Sequence, residues 1–335
     1  MKLDKKLILS MENLEYKSEK TMTNSSIEDI KKNLDILPIV LKWFQSINIE
    51  KLSINDNIVK IVLDEDILSV ENKFFLLDSK IDVLSKEVLL DINNLYLKDY
   101  NILFKGKAKI DYFDEELKYF GDIYYQDLIV SGNIDITKNR VNFFIKSEIF
   151  KNLHFLKKYL DLPEVANSWM YDNVTGDFKL NWFYGEFDLN KNEIIEKSLQ
   201  GDAVIENAKI RFENSLEEIN TSKVNVNFKN STLHFDLVDA IYKEKELKNS
   251  FVTIKDIANE NSGLVLVNIE AKTSLDKDIL GILEAYGIVV PVVQKNGETQ
   301  AKLLLSFPYA EDKPMSYNGV FIAEKSNISI SGFDF

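Results

Sequence analysis

The chain has 335 residues, with 41 Lys and Arg against 54 Asp and Glu, a formal charge of −13, two His and no Cys. Without cysteine there can be no zinc ribbon, iron–sulfur site, thiol nucleophile or disulfide framework, and His154 and His234 are the only imidazoles. The acidic balance, with Arg140 and Arg211 as the only arginines, opposes phosphate tracking, so no nucleic-acid partner is expected.

The start, MKLDKKLILSMENLEY, has three apolar residues after Lys5-Lys6 before polarity returns at Ser10. That is too short for a signal peptide and reads as a strand. No window reaches the roughly 18 consecutive apolar residues of a membrane span. Residues 26–47 read as a helix: Ser25 and Glu28 have capping-box spacing, and Ile27, Ile30, Leu34, Leu37, Leu41 and Phe44 recur at steps of three and four. Its second half is apolar nearly all round, which suits ordinary packing against a sheet, a membrane-surface role or a plug at the end of a cavity, and Leu37, Leu41, Trp43 and Phe44 are the residues assigned to that last role.

From about residue 49 to 148 the period changes to two. Ile102, Phe104, Ala108, Ile110 and Tyr112 alternate with Leu103, Lys105, Lys107, Lys109 and Asp111, with Gly106 completing the first register. Val141, Phe143 and Ile145 alternate with Asn142, Phe144 and Lys146. Gly121-Asp122, Ser131-Gly132 and Lys138-Asn139 read as turns of an antiparallel meander.

Residues 150–173 read as two short helices, one lined by Phe150, Leu153, Leu156 and Leu160, the other starting after Pro163 with Val165, Trp169 and Met170. Strands then resume. Val224, Val226 and Phe228 share a face with Leu233, Phe235 and Leu237 across a hairpin closed by Lys229 to Thr232, and Leu303, Leu305 and Phe307 repeat the habit. A helix is predicted from about Leu275 to Tyr286, capped by Thr273 or Ser274. Asn296-Gly297 and Asn318-Gly319 read as hairpin turns. The end, NISISGFDF, again alternates, so the chain is expected to be a piece of a longer one.

Catalytic signatures are sparse. The adjacent carboxylates at Asp64-Glu65-Asp66, Asp114-Glu115-Glu116, Glu217-Glu218 and Glu311-Asp312 sit at strand ends or turns, where neither desolvation nor a cleft-spanning separation is supplied. Neither histidine has an acidic or imidazole neighbour at ligand spacing, and there is no glycine-rich phosphate loop, G-x-S-x-G elbow or H-E-x-x-H. No enzyme activity, cofactor or metal is expected.

The stretch ANSWMYDNVTGDFKLNW, the strands SLQGDAVIENAKIRFENSLEEINTSKVNVNFKNSTLHFDL, and the helix and hairpin of LGILEAYGIVVPVVQKNGETQAKLLLSFPY together resemble the YhdP-like branch of the AsmA superfamily, to which TamB is more distantly related. The resemblance covers roughly residues 150–310. It implies a periplasmic location in a Gram-negative envelope, inner-membrane anchoring through a helix outside this chain, and a β-groove that carries phospholipid or another acyl lipid toward the outer membrane. The expected fold is mainly β with a few helices, a long antiparallel twisted sheet curled into an open hydrophobic groove. Residues 1–149 would form an N-terminal helix plus meander, and 150–335 a helical insertion followed by a groove segment. Ile102, Phe104, Ala108, Ile110, Tyr112, Val224, Val226, Phe228, Leu233, Phe235, Leu237, Leu303, Leu305 and Phe307 would line the groove. Exposing about 30 methylenes to water costs on the order of 25 kcal/mol, which a continuous apolar trough avoids. The alternative is a non-enzymatic envelope scaffold or outer-membrane assembly factor with protein partners.

Overall fold

A computed structural model describes residues 7–16, 43–54, 57–84, 87–111, 113–158, 161–257, 259, 261–310, 312–330 and 333–334. The fold is mainly β: 22 strands belong to one hydrogen-bonded sheet and three short ones to another. The chain divides into two compact units, unit 1 comprising Met1–Glu148 and Tyr184–Ile195, and unit 2 comprising Ile149–Phe183 and Glu196–Phe335.

Unit 1 begins with β1 (Leu7–Met11) and β2 (Leu14–Tyr16), continues through β3 (Phe44–Ile54), β4 (Asn57–Asp64), β5 (Ile67–Asn72), β6 (Phe75–Val83), β7 (Glu87–Leu97), β8 (Ile102–Asp111), β9 (Glu116–Tyr125) and β10 (Leu128–Ile136), and reaches β11 (Arg140–Ser147). From β3 to β11 each strand pairs antiparallel with the next. The sheet is nevertheless mixed, because β1 and β2 both run parallel to β3.

Several expectations need correction here. The helix predicted over 26–47 falls largely outside the described residues, Leu37 and Leu41 included. At Phe44 the chain is already in β3. From there Ile47 and Ile49 pair with Leu63 and Ile61, while the intervening Asn48 faces the other way; a two-residue period thus displaces the helical one. Gly121-Asp122 and Ser131-Gly132 are not turns: both lie inside strands, β9 and β10. Lys138-Asn139 does separate β10 from β11.

Unit 2 holds a 3-10 turn at His154–Lys158, helix α1 (Glu164–Tyr171) and most of β12 (Val174–Asp188), which runs on into unit 1, where its end pairs with β13 (Glu193–Ile194). There follow β14 (Gln200–Ile210), β15 (Ile219–Lys229), β16 (Thr232–Val238), β17 (Ala240–Tyr242), β18 (Lys245–Leu247), β19 (Phe251–Lys255), β20 (Leu264–Thr273), α2 (Lys277–Ala285), β21 (Val292–Gln294), β22 (Glu298–Pro308), β23 (Ser316–Glu324), β24 (Ile328–Ile330) and β25 (Phe333–Asp334). The ladder runs antiparallel through β14, β15, β16, β19, β20, β22 and β23. The predicted β15–β16 hairpin forms in the expected register, with Val224 opposite Leu237, Val226 opposite Phe235 and Phe228 opposite Leu233. Its turn residues, Asn230 and Ser231, have φ of 52° and 55°, the left-handed pair that suits the twist of a two-residue hairpin.

Helix α2 is capped by Asp276, not by Thr273 or Ser274. The Asp276 carboxylate accepts from the backbone N–H of Asp278 at 3.0 Å and of Ile279 at 3.3 Å. Asn318-Gly319 lies within β23, and Asn296-Gly297 closes no hairpin, because β21 pairs with β24 and β22 pairs with β20 and β23.

Candidate functional site

In an antiparallel ladder opposed residues share a face, so the register can be followed across unit 1. One row reads Ile47, Leu63, Leu68, Ser79, Ile92, Gly106, Gly121, Gly132, Ile145 over nine strands. The row on one side reads Ile49, Ile61, Val70, Leu77, Leu95, Phe104, Ile123, Val130, Ser147. On the other side lie Ile81, Leu90, Ala108, Tyr119, Ile134 and Phe143, then Val83, Val88, Ile110, Leu117, Ile136 and Val141. None of these side chains is charged. The opposite face carries Lys105, Asp122, Ser131 and Lys146 in one such row and Lys109, Lys118, Asp135 and Asn142 in another.

Among the described residues every named element of unit 1 is a strand, and Trp43 is the one residue in a helical conformation. Ile81 and Val88 are buried among their neighbours, but Leu77, Leu95, Ile102, Phe104, Ile110, Leu117, Ile123 and Ile134 are only partly buried. Ile102, Phe104, Ala108 and Ile110 do share a face, as the alternation requires. Tyr112 lies outside the described residues. Trp43 is 46 % exposed and Phe44 is partly buried.

The glycine row is a line of close backbone approach. In β7 one extra residue at Asn93–Asn94 breaks the register on both sides, and the line continues through Gly106, Gly121 and Gly132. Gly106 has φ of +152°, and a Cβ there would land on the Phe120 carbonyl; one on Gly121 would land on the carbonyl of Lys105. Bulges and strand glycines let a sheet turn sharply because side chains no longer separate the backbones. Tyr119 bridges β8 and β9 beside this line. Its hydroxyl lies 2.9 Å from the Lys105 carbonyl and 3.0 Å from that of Asp122, to which it donates, and burial, followed by the Asp122 charge, pushes its pKa up to about 12. It therefore remains a donor across the physiological range.

Unit 2 treats its apolar face differently. Val224, Val226, Phe235, Leu237, Leu303 and Leu305 are buried in one cluster with Ala166 and Trp169 of α1 and Ile279, Ile282 and Leu283 of α2. Val224 and Leu305 are 0 % exposed. These six are core side chains in this structure and do not wall an open channel: the two helices supply the apolar layer that the strands need. Phe228, Leu233 and Phe307, one register step away, are only partly buried. Lys245 fastens the β17–β18 hairpin to α2 through Asp276 at 3.0 Å and Asp278 at 3.1 Å, and Lys243 reaches Asp278 at 3.2 Å.

The histidines have partners that sequence spacing did not reveal. His234 Nε2 lies 3.1 Å from Asp236, and its Nδ1 lies 2.7 Å from the Thr253 hydroxyl on the next strand, while His154 Nε2 lies 3.7 Å from Asp172. Residues i and i+2 on a strand face the same way, which is the signal that could have found the first of these.

The chain is thus a mainly β protein whose unit 2 buries its apolar face under two helices and whose unit 1 carries a wide uncharged face on its described strands. The YhdP protein family matches residues 151–335, over half of the sequence, and the chain belongs to that family. The matched residues take in nearly all of unit 2, whereas β1–β11 precede them. Comparison with curated proteins finds no match, and comparison with solved structures finds none either.

Proposed function

We propose that this chain is a section of an envelope lipid-transfer conduit, in which the acyl chains of phospholipid lie against the apolar face of β3–β11. The observation that carries the reading is the absence of charge from the four side-chain rows of unit 1, with about two thirds of the side chains partly open. Nine strands at about 4.8 Å spacing make a contour of roughly 40 Å, longer than the ~15 Å depth of one bilayer leaflet, so whole acyl chains fit along a row. Each methylene taken from water contributes about 0.8 kcal/mol. Headgroups remain in water at the open side, and nothing in the task requires bond chemistry. Membership of the YhdP family supports the envelope setting, and a periplasmic location with anchoring at the inner membrane is part of the proposal. Among the described residues no helix is long and apolar enough to cross a membrane.

The test is capture of a photoactivatable acyl phospholipid by the purified chain. Phe104→Glu and Ile123→Glu should each lower capture about tenfold or more, since a carboxylate beside acyl chains costs at least ~1.4 kcal/mol. Lys107→Glu, on the other face, should leave it unchanged. Full capture by both apolar-face variants, or adducts confined to unit 2, would refute the assignment.

A further inference from the structure

The last strand of the unit 2 ladder has an unusual edge. Among the described residues β22 is the only ladder partner of β23, and eight of the nine residues of β23 are exposed. Protected edge strands carry charge, proline or a bulge. This one carries none of them from Ser316 to Ala323. Its apolar residues also point both ways. Tyr317 and Phe321 lie on the face of Leu305 and Ala301, whereas Val320 and Ile322 lie on the face of Lys302 and Gln300. Tyr317, Val320 and Ile322 are each at least half exposed. A strand apolar on both faces is the pattern of an interior strand.

The occupant can be chosen by charge and size. The chain carries −13, so two copies repel over most of their surfaces and can approach most readily where charge is missing. Antiparallel pairing of β23 with its own copy about Val320 is the register that pairs all nine residues. It sets Gly319 against Phe321 twice, an aromatic ring beside each glycine, and Tyr317 against Ala323. Glu324 meets Ser316, so no like charges oppose each other. We propose that the chain forms a twofold dimer by pairing β23 edge to edge about Val320.

The absence of cysteine makes the test specific to register. In this pairing the two Val320 Cα atoms are about 4.5–5.5 Å apart, within disulfide reach, whereas the two Ile322 Cα atoms are roughly 14 Å apart and out of reach. Full-length Val320→Cys should form a covalent dimer under mild oxidation and Ile322→Cys should not. The unmodified protein should sediment as two chains, more completely as salt screens the net charge. Val320→Lys should sediment as one chain, with its circular dichroism unchanged. Sedimentation of the unmodified protein as one chain at every concentration, or equal cross-linking of the two cysteine variants, would overturn the proposal.

Discussion

At the scale of single residues, glycine carries opposite meanings in this chain. Gly121 sits where a methyl group would strike the Lys105 carbonyl, so Gly121→Ala should destabilise unit 1 by about 2 kcal/mol or more. Gly281 lies inside α2 with nothing within 4 Å of where its Cβ would be. Gly281→Ala should therefore stabilise by about 0.5–1 kcal/mol, the helix-propensity difference. Urea midpoints of the two variants should move in opposite directions. The sequence signal for Gly121 was misleading for a physical reason. A glycine followed by aspartate usually marks a turn, and only the cross-strand alignment with Gly106 and Gly132 shows that it serves close backbone approach within the strands. That alignment depends on register, which a linear reading does not contain.

At the scale of elements, strict alternation was a sound guide. The faces of β8, β11, β15 and β16 follow their sequence patterns, because a two-residue period leaves no freedom once one face is apolar. Boundaries were less legible. Phe44 satisfies both the helical spacing before it and the alternation after it, and strand pairing with Leu63 and Ile61 decides the matter downstream. At α2, Asp276 displaced the earlier Thr273 and Ser274 as cap, since β20 extends through Thr273. The same region yields a pH prediction. Hydrogen bonds from Lys245 and then Lys243 hold the Asp278 carboxyl below its ordinary 3.8. A depressed carboxyl contributes stability that is present above its unfolded pKa and is lost as pH falls through the folded one. Melting temperature should thus decline below about pH 4, and Asp278→Asn should lower it at pH 7 and flatten that limb, so that the two curves converge in acid.

At the scale of the whole molecule, the two units answer the same hydrophobic pattern in different ways, and sequence could not distinguish them. Leu305 with Leu303, and Phe104 with Ile102, follow the same two-residue period, yet α1 and α2 join the cluster that buries the first, while the second remains partly open. The contrast should appear in paired substitutions. Leu305→Asp places a carboxylate at a wholly buried site and should cost about 3 kcal/mol or more, visible as loss of the unit 2 unfolding transition in calorimetry. Phe104→Glu should leave both transitions nearly in place. Equal destabilisation by the two would mean that unit 1 is packed as tightly as unit 2.

The line of Gly106, Gly121 and Gly132 has a further consequence for how such a sheet could be remodelled. A contact made by backbone alone is independent of the side chains that flank it, so strands on either side can change their apolar residues without altering where β8, β9 and β10 approach one another. Moving one glycine by two positions along β9 would shift that contact and keep every side chain on its face.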